Sequence, residues 1–130
     1  MATKQDLMGL GLPPFLAEKL GYTPQGYSGS AGITTQSSAT QINDKLALLT
    51  VATSTASSFL LPQNPSGGVI LYATNLFASI ATASVYPATG NLLNGVTNGS
   101  LTLTTGQSAI FITESAGTAL NVNWYSIKSA

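Results

Sequence analysis

From Leu46 to Thr113 the chain carries no Asp, Glu, Lys or Arg, and this absence limits what it can fold into more than any motif does. A solvated surface ordinarily intersperses charges of both signs. Here only 6% of all residues are charged, against about 25% in an average globular chain. Ser, Thr, Asn, Gly and Ala stand in their place. The chain is nevertheless not of the disordered type, because 44% of its residues are hydrophobic and these fall in periodic runs. A fold built on this stretch is expected to hide faces against other subunits, since the centres of interfaces are depleted in charge.

The periodicity is that of strands. Leu46–Val51, Ser58–Leu61, Val69–Ala73, Ile80–Tyr86, Leu101–Thr104, Ala109–Ile112 and Leu120–Tyr125 are short apolar or alternating runs, and Thr34–Ile42 reads as a polar edge strand. Glycine, asparagine and proline punctuate them. Val69–Ala73 is apolar enough for burial on both faces. Asn98-Gly99, between Val96 and Leu101, is a two-residue hairpin signal because both residue types tolerate positive φ, with Asn94-Gly95 in competition. In the last run Leu120, Val122 and Trp124 alternate with Asn121, Asn123 and Tyr125. That places Trp124 in the core and Tyr125 on the open side. About eight strands with turns roughly every 8 to 12 residues predict an all-β fold, an antiparallel β-sandwich of jelly-roll-like form.

Ahead of the strands lies a different pattern. Pro13-Pro14 can open a helix, Phe15, Leu16 and Leu20 share its face, and Gly21 sits where a C-terminal cap belongs. So short a helix is not stable alone in water, and its apolar face must dock on its own domain or on a partner. Residues 22–32 hold Pro24, Gly26, Gly29 and Gly32 among polar residues, the composition of an extended or flexible connector. The expected organisation is an N-terminal extension, residues 1–32, with a short helix and linker, and a β-sandwich domain, residues 33–130. Extended at about 3.3 Å per residue, the connector could carry the helix on the order of 30 Å.

Most catalytic chemistry is excluded by composition. Histidine and cysteine are absent, which removes the commonest general base, the thiol nucleophile and the usual zinc ligands. Asp44 and Glu114 are the β-region's carboxylates and stand far apart, a poor basis for a glycosidase pair or a calcium site. The chain is read as a non-enzyme with no cofactor and no metal. Net charge is zero and arginine is absent, so no cationic footprint exists for nucleic acid. Residues 67–85 are long enough to span a membrane, but Asn75, paired glycines and β-branched residues at strand spacing argue against it. Gly26-x-x-Gly29-x-x-Gly32 lacks the spacing and the strand-to-helix setting of a phosphate loop.

Val85-Tyr-Pro-Ala-Thr-Gly90-Asn-Leu-Leu-Asn-Gly95, the run Ser100 to Ile112, and the opening Asp6-Leu-Met-Gly-Leu-Gly-Leu-Pro-Pro14 with Leu16-Ala-Glu-Lys-Leu-Gly21 resemble small structural proteins of tailed-bacteriophage virions. Within that group the chain is most similar in kind to the head decoration or cement proteins of short-tailed phages. The resemblance implies a β-sandwich, often trimeric, made in the host cytoplasm and bound outside the phage head on the major capsid protein. On this reading the chain pairs with itself, and Leu12, Phe15, Leu16, Leu20 and Tyr125 are the candidate partner contacts. A tail-associated receptor- or carbohydrate-binding β-module is the alternative, with Tyr125 stacking on sugar rings.

Overall fold

The computed structural model describes residues 24–30, 32–51, 56–63, 69–76, 81–113 and 122–130, and their regular structure is β apart from one 3-10 turn. Eleven strands follow in order: β1 Gln25–Gly29, β2 Thr40–Gln41, β3 Leu46–Val51, β4 Ser57–Leu60, β5 Ile70–Asn75, β6 Ala83–Tyr86, β7 Leu92–Leu93, β8 Val96–Thr97, β9 Leu101–Leu103, β10 Ser108–Thr113 and β11 Asn123–Lys128. The strands form because side chains alternate between water and core. Leu71, Ala73 and Asn75 of β5 are buried while Ile70 and Tyr72 between them are exposed, and Ala109, Phe111 and Thr113 of β10 alternate in the same way with Ile110 and Ile112. Val69–Ala73, expected to be buried on both faces, is therefore buried on one.

A larger sheet runs β1-β3-β5-β10-β11-β7-β8 and a smaller one β2-β4-β6-β9. From β1 to β6 the chain places successive strands in alternate sheets, with β1, β3 and β5 parallel in one and β2, β4 and β6 parallel in the other. Each parallel connection thus passes through a strand of the opposite sheet, and among the described residues no α-helix lies in it. The later strands turn this winding back: β9 lies antiparallel to β6, and β10 is antiparallel to both β5 and β11. Both sheets are mixed, which corrects the antiparallel expectation. Parallel and antiparallel strands share the same two-residue side-chain period, so alternation in the sequence does not separate them.

Two local expectations change as well. Thr34–Ile42 is a 3-10 turn at Gln36–Ser38 followed by the two-residue β2, which does lie at the edge of the smaller sheet. The tight hairpin joins β7 to β8 through Asn94-Gly95, with Leu93 opposite Val96 and φ of 52° and 81° at the two turn residues. Asn98 also has positive φ, 54°. Its side-chain carbonyl accepts the Gly90 amide, so it orders the preceding loop. Residues 1–23, with the predicted helix and Leu12, Phe15, Leu16 and Leu20, lie outside the described residues.

One buried cluster draws on both sheets: Leu49, Leu71, Phe111 and Trp124 from the larger, Phe59, Val85 and Leu103 from the smaller. Each such side chain is worth about 1.5–3 kcal/mol when fully buried. Trp124 is inward, as its alternation predicts, and wholly buried. Polar groups inside the fold tie one sheet to the other. Asn75 of β5 donates its side-chain amide to the carbonyls of Ala81 and of Leu103 in β9, at 3.2 and 3.0 Å. Gly29 of β1 faces Ser57 and Phe59 of β4 so closely that an added Cβ would lie 2.0 Å from Ser57 Oγ. Strand β1 falls inside the residues read as a connector, and Gly29 is there for close approach between sheets.

Candidate functional site: the outer face of the larger sheet

Register decides which side chains share the outward side of β5, β10 and β11. Tyr72 pairs with Ile110 and Ile110 with Ile127, forming one row; Ile70 pairs with Ile112 and Ile112 with Tyr125, forming the next. Within a row, neighbouring strands are about 4.8 Å apart, so the six side chains make a continuous apolar and aromatic patch. Their exposures are 67% for Ile127, 59% for Ile70, 47% for Tyr125, 37% for Tyr72 and Ile110, and 36% for Ile112. Leu46, opposite Tyr72 on β3, extends the first row and is half-buried.

Polar groups of the strands stand beside the two tyrosines. Thr74 and Ser108 are opposite one another and share a hydroxyl hydrogen bond of 2.9 Å. Hydrogen bonding from the Ser108 hydroxyl, and then from that of Thr74, pulls the Tyr72 phenol below its ordinary pKa. Tyr125 is tied in a similar way, its hydroxyl accepting the Asn123 side-chain amide at 3.0 Å from two residues back on the same strand. The Tyr125 ring therefore presents a fixed surface instead of sampling rotamers, which lowers the entropy lost when something packs on it.

A shallow groove of about 320 Å³ runs along this face beside Tyr72, Ser108, Ile110, Ile127 and Ser129. Lys128 also borders it, but its ammonium group points toward the smaller sheet and donates to the Thr102 carbonyl at 3.4 Å. No charged side chain belongs to the patch itself. Such a surface is suited to binding by burial and shape.

Sequence-predicted residues separate here. Tyr125 lies on the patch, whereas Leu12, Phe15, Leu16 and Leu20 lie outside the described residues. Of the two carboxylates, Asp44 accepts a hydrogen bond from the Tyr27 hydroxyl, which in turn accepts the Asn43 amide at 3.0 Å. Burial, followed by the bond to Asp44, raises the Tyr27 pKa. This contact fastens β1 to the turn before β3, a structural role. Glu114 lies outside the described residues, and no group of three or more possible metal ligands occurs among the described ones. Among them, too, no helix is long and apolar enough to cross a membrane.

Sequence reasoning missed Ile70, Tyr72, Ile110, Ile112 and Ile127. Apolar residues occupy both parities of β5 and β10, which reads as full burial. The signal that could have separated them is size: Ala73 and Ala109 on the inner side mark the side where a second sheet must approach. Comparison with known proteins returns no match, whether against family models, curated proteins or solved structures.

Proposed function

We propose that this chain is a non-enzymatic structural protein of a tailed-phage virion, a head decoration or cement protein. It forms an oligomer, a trimer on the family pattern, on the outside of the head and stabilises the shell by bridging copies of the major capsid protein. The two sheets sharing one core are read as a β-sandwich carrying a short N-terminal helical hook, with Leu12, Phe15, Leu16 and Leu20 as its contacts to the shell.

The observation that carries this reading is the uncharged apolar face of the larger sheet. Scattered apolar residues on a surface are normal, but a contiguous patch rimmed by polar residues marks a protein contact. Several modest contacts joined in one oligomer raise the effective concentration of each at the particle. The test is to mix purified protein with phage heads that lack it and to image them: ordered density at regular outer sites is expected, with raised resistance of the heads to heat. Heads that stay bare refute the assignment.

The fixed Tyr125 ring favours one second reading, a tail-associated module whose tyrosines stack on sugars. A glycan array separates the two, since a cement protein gives no selective binding and a receptor module does.

A further inference from the structure

We propose that the occupant of the larger sheet's outer face is a second copy of this chain, so that sister copies meet through Tyr72, Ile110 and Ile127 flanked by Ile70, Ile112 and Tyr125. The inference rests on the oligomeric part of the function proposed above and assigns it a surface, leaving the shell contact to other parts of the chain.

Three observations favour a sister copy over any other occupant. The first is area. At the exposures given above, the six side chains present on the order of 600 Å² to solvent, at the upper end of the largest patch found on a typical monomer. A stable interface of standard size needs about 800 Å² from each partner, a difference that the neighbouring Leu46, Leu48, Thr74, Ser108 and Asn123 can supply. The second is charge. Turned toward a symmetry axis, two-fold or three-fold, this face brings the same patch from every copy to the contact, and a charged patch would then meet its own sign. Here no charge lies on the patch and Lys128 is tied toward Thr102 of the other sheet, so identical faces approach without repulsion. The third is order. Tyr125 accepts a hydrogen bond from Asn123 of its own strand, and isoleucines have few rotamers to lose, so much of the face is already in the shape it has when covered. A partner of different sequence would have to bring its own uncharged apolar surface, which a sister copy supplies by identity.

The test uses the full chain with single substitutions, measured by light scattering and sedimentation. The wild type is expected at a multiple of its chain mass, little changed by salt because no ion pair holds the face. Ile110→Lys and Ile127→Lys are expected to weaken association at least 100-fold and give monomers. Both positions are solvent-facing, so circular dichroism and melting should show the fold kept. Val96→Lys, at an exposed position on β8 outside the patch, is expected to leave the oligomer intact. A monomeric wild type overturns the inference, and so does an oligomer that keeps its mass in both isoleucine variants. Dispersal by Leu16→Lys but by neither isoleucine change also overturns it, showing that the N-terminal segment makes the contact. Head binding is scored separately: an oligomer dispersed by the two lysines that decorates no head keeps this inference and removes the virion assignment, while a monomer that decorates heads does the reverse.

Discussion

Gly26 and Gly29 stand on the same short strand, and alanine at each should give opposite results. At Gly26 an added Cβ meets nothing within 4 Å, so Gly26→Ala only reduces the freedom of the unfolded chain and should stabilise by about 0.4–1 kcal/mol. At Gly29 the same methyl would lie 2.0 Å from Ser57 Oγ, 2.7 Å from Ser57 Cβ and 2.9 Å from Phe59 Cζ. Ser57 and Phe59 are wholly buried, and neither can swing into solvent. Forcing a methyl into a packed site costs about 1–3 kcal/mol. Moving Ser57 also breaks its 2.9 Å hydrogen bond to the Ser30 carbonyl, adding about 1 kcal/mol. Gly29→Ala should therefore destabilise by roughly 2–4 kcal/mol. Urea unfolding at one fixed protein concentration reads both variants, and with a slope of about 1–3 kcal/mol per molar the Gly29→Ala midpoint falls by roughly 0.7–4 M. Equal midpoints for the two variants would refute the close approach of β1 to β4 and return residues 24–32 to the status of a tether.

Two further outcomes follow from side-chain bonds. Asn75→Ala strands the carbonyls of Ala81 and Leu103 inside the fold and should lower stability by about 2–4 kcal/mol, read by the same unfolding experiment. In an alkaline titration followed by tyrosinate absorbance, Tyr72→Phe should remove a change that falls below the ordinary phenol pKa and Tyr27→Phe one that falls above it. The sign for stability differs between them. Tyr27, raised in the fold, contributes stability that is present below the ordinary phenol pKa and lost as pH rises through its folded value, whereas the lowered Tyr72 gains relative to the unfolded chain over that range.

Fold class was legible because strand alternation is a local property. Leu101, Trp124 and the apolar runs of β3 and β10 announced themselves by spacing alone. Direction was not legible, since a parallel neighbour and an antiparallel one ask the same of a strand's side chains. Gly29 was misread for a related reason: glycine in a Gly, Ser and Gln context looks like a tether, and its actual cause, the Ser57 and Phe59 side chains, lies far along the sequence. Asn98-Gly99 carries the leading hairpin signal with Asn94-Gly95 as its competitor, and pairing of Leu93 with Val96 puts the turn at the competitor. For the site, Tyr125 was legible from its alternation with Trp124. Tyr72 and the isoleucines were not, because an apolar residue hidden by a neighbouring molecule and one hidden in its own core obey the same pattern.

The winding of β1 to β6 between two sheets has a consequence for how the chain reaches its native state. Neither layer can be completed before the other, because each new strand of one is reached only after laying a strand of its opposite. A nascent chain ending near residue 60 holds an incomplete half of both layers, with the partners β5, β6, β10 and β11 still to come. Assembly should therefore be slow and all-or-none, on the millisecond-to-second scale of topologies dominated by distant pairings, and a cut between β4 and β5 should yield two fragments that regain structure only in each other's company.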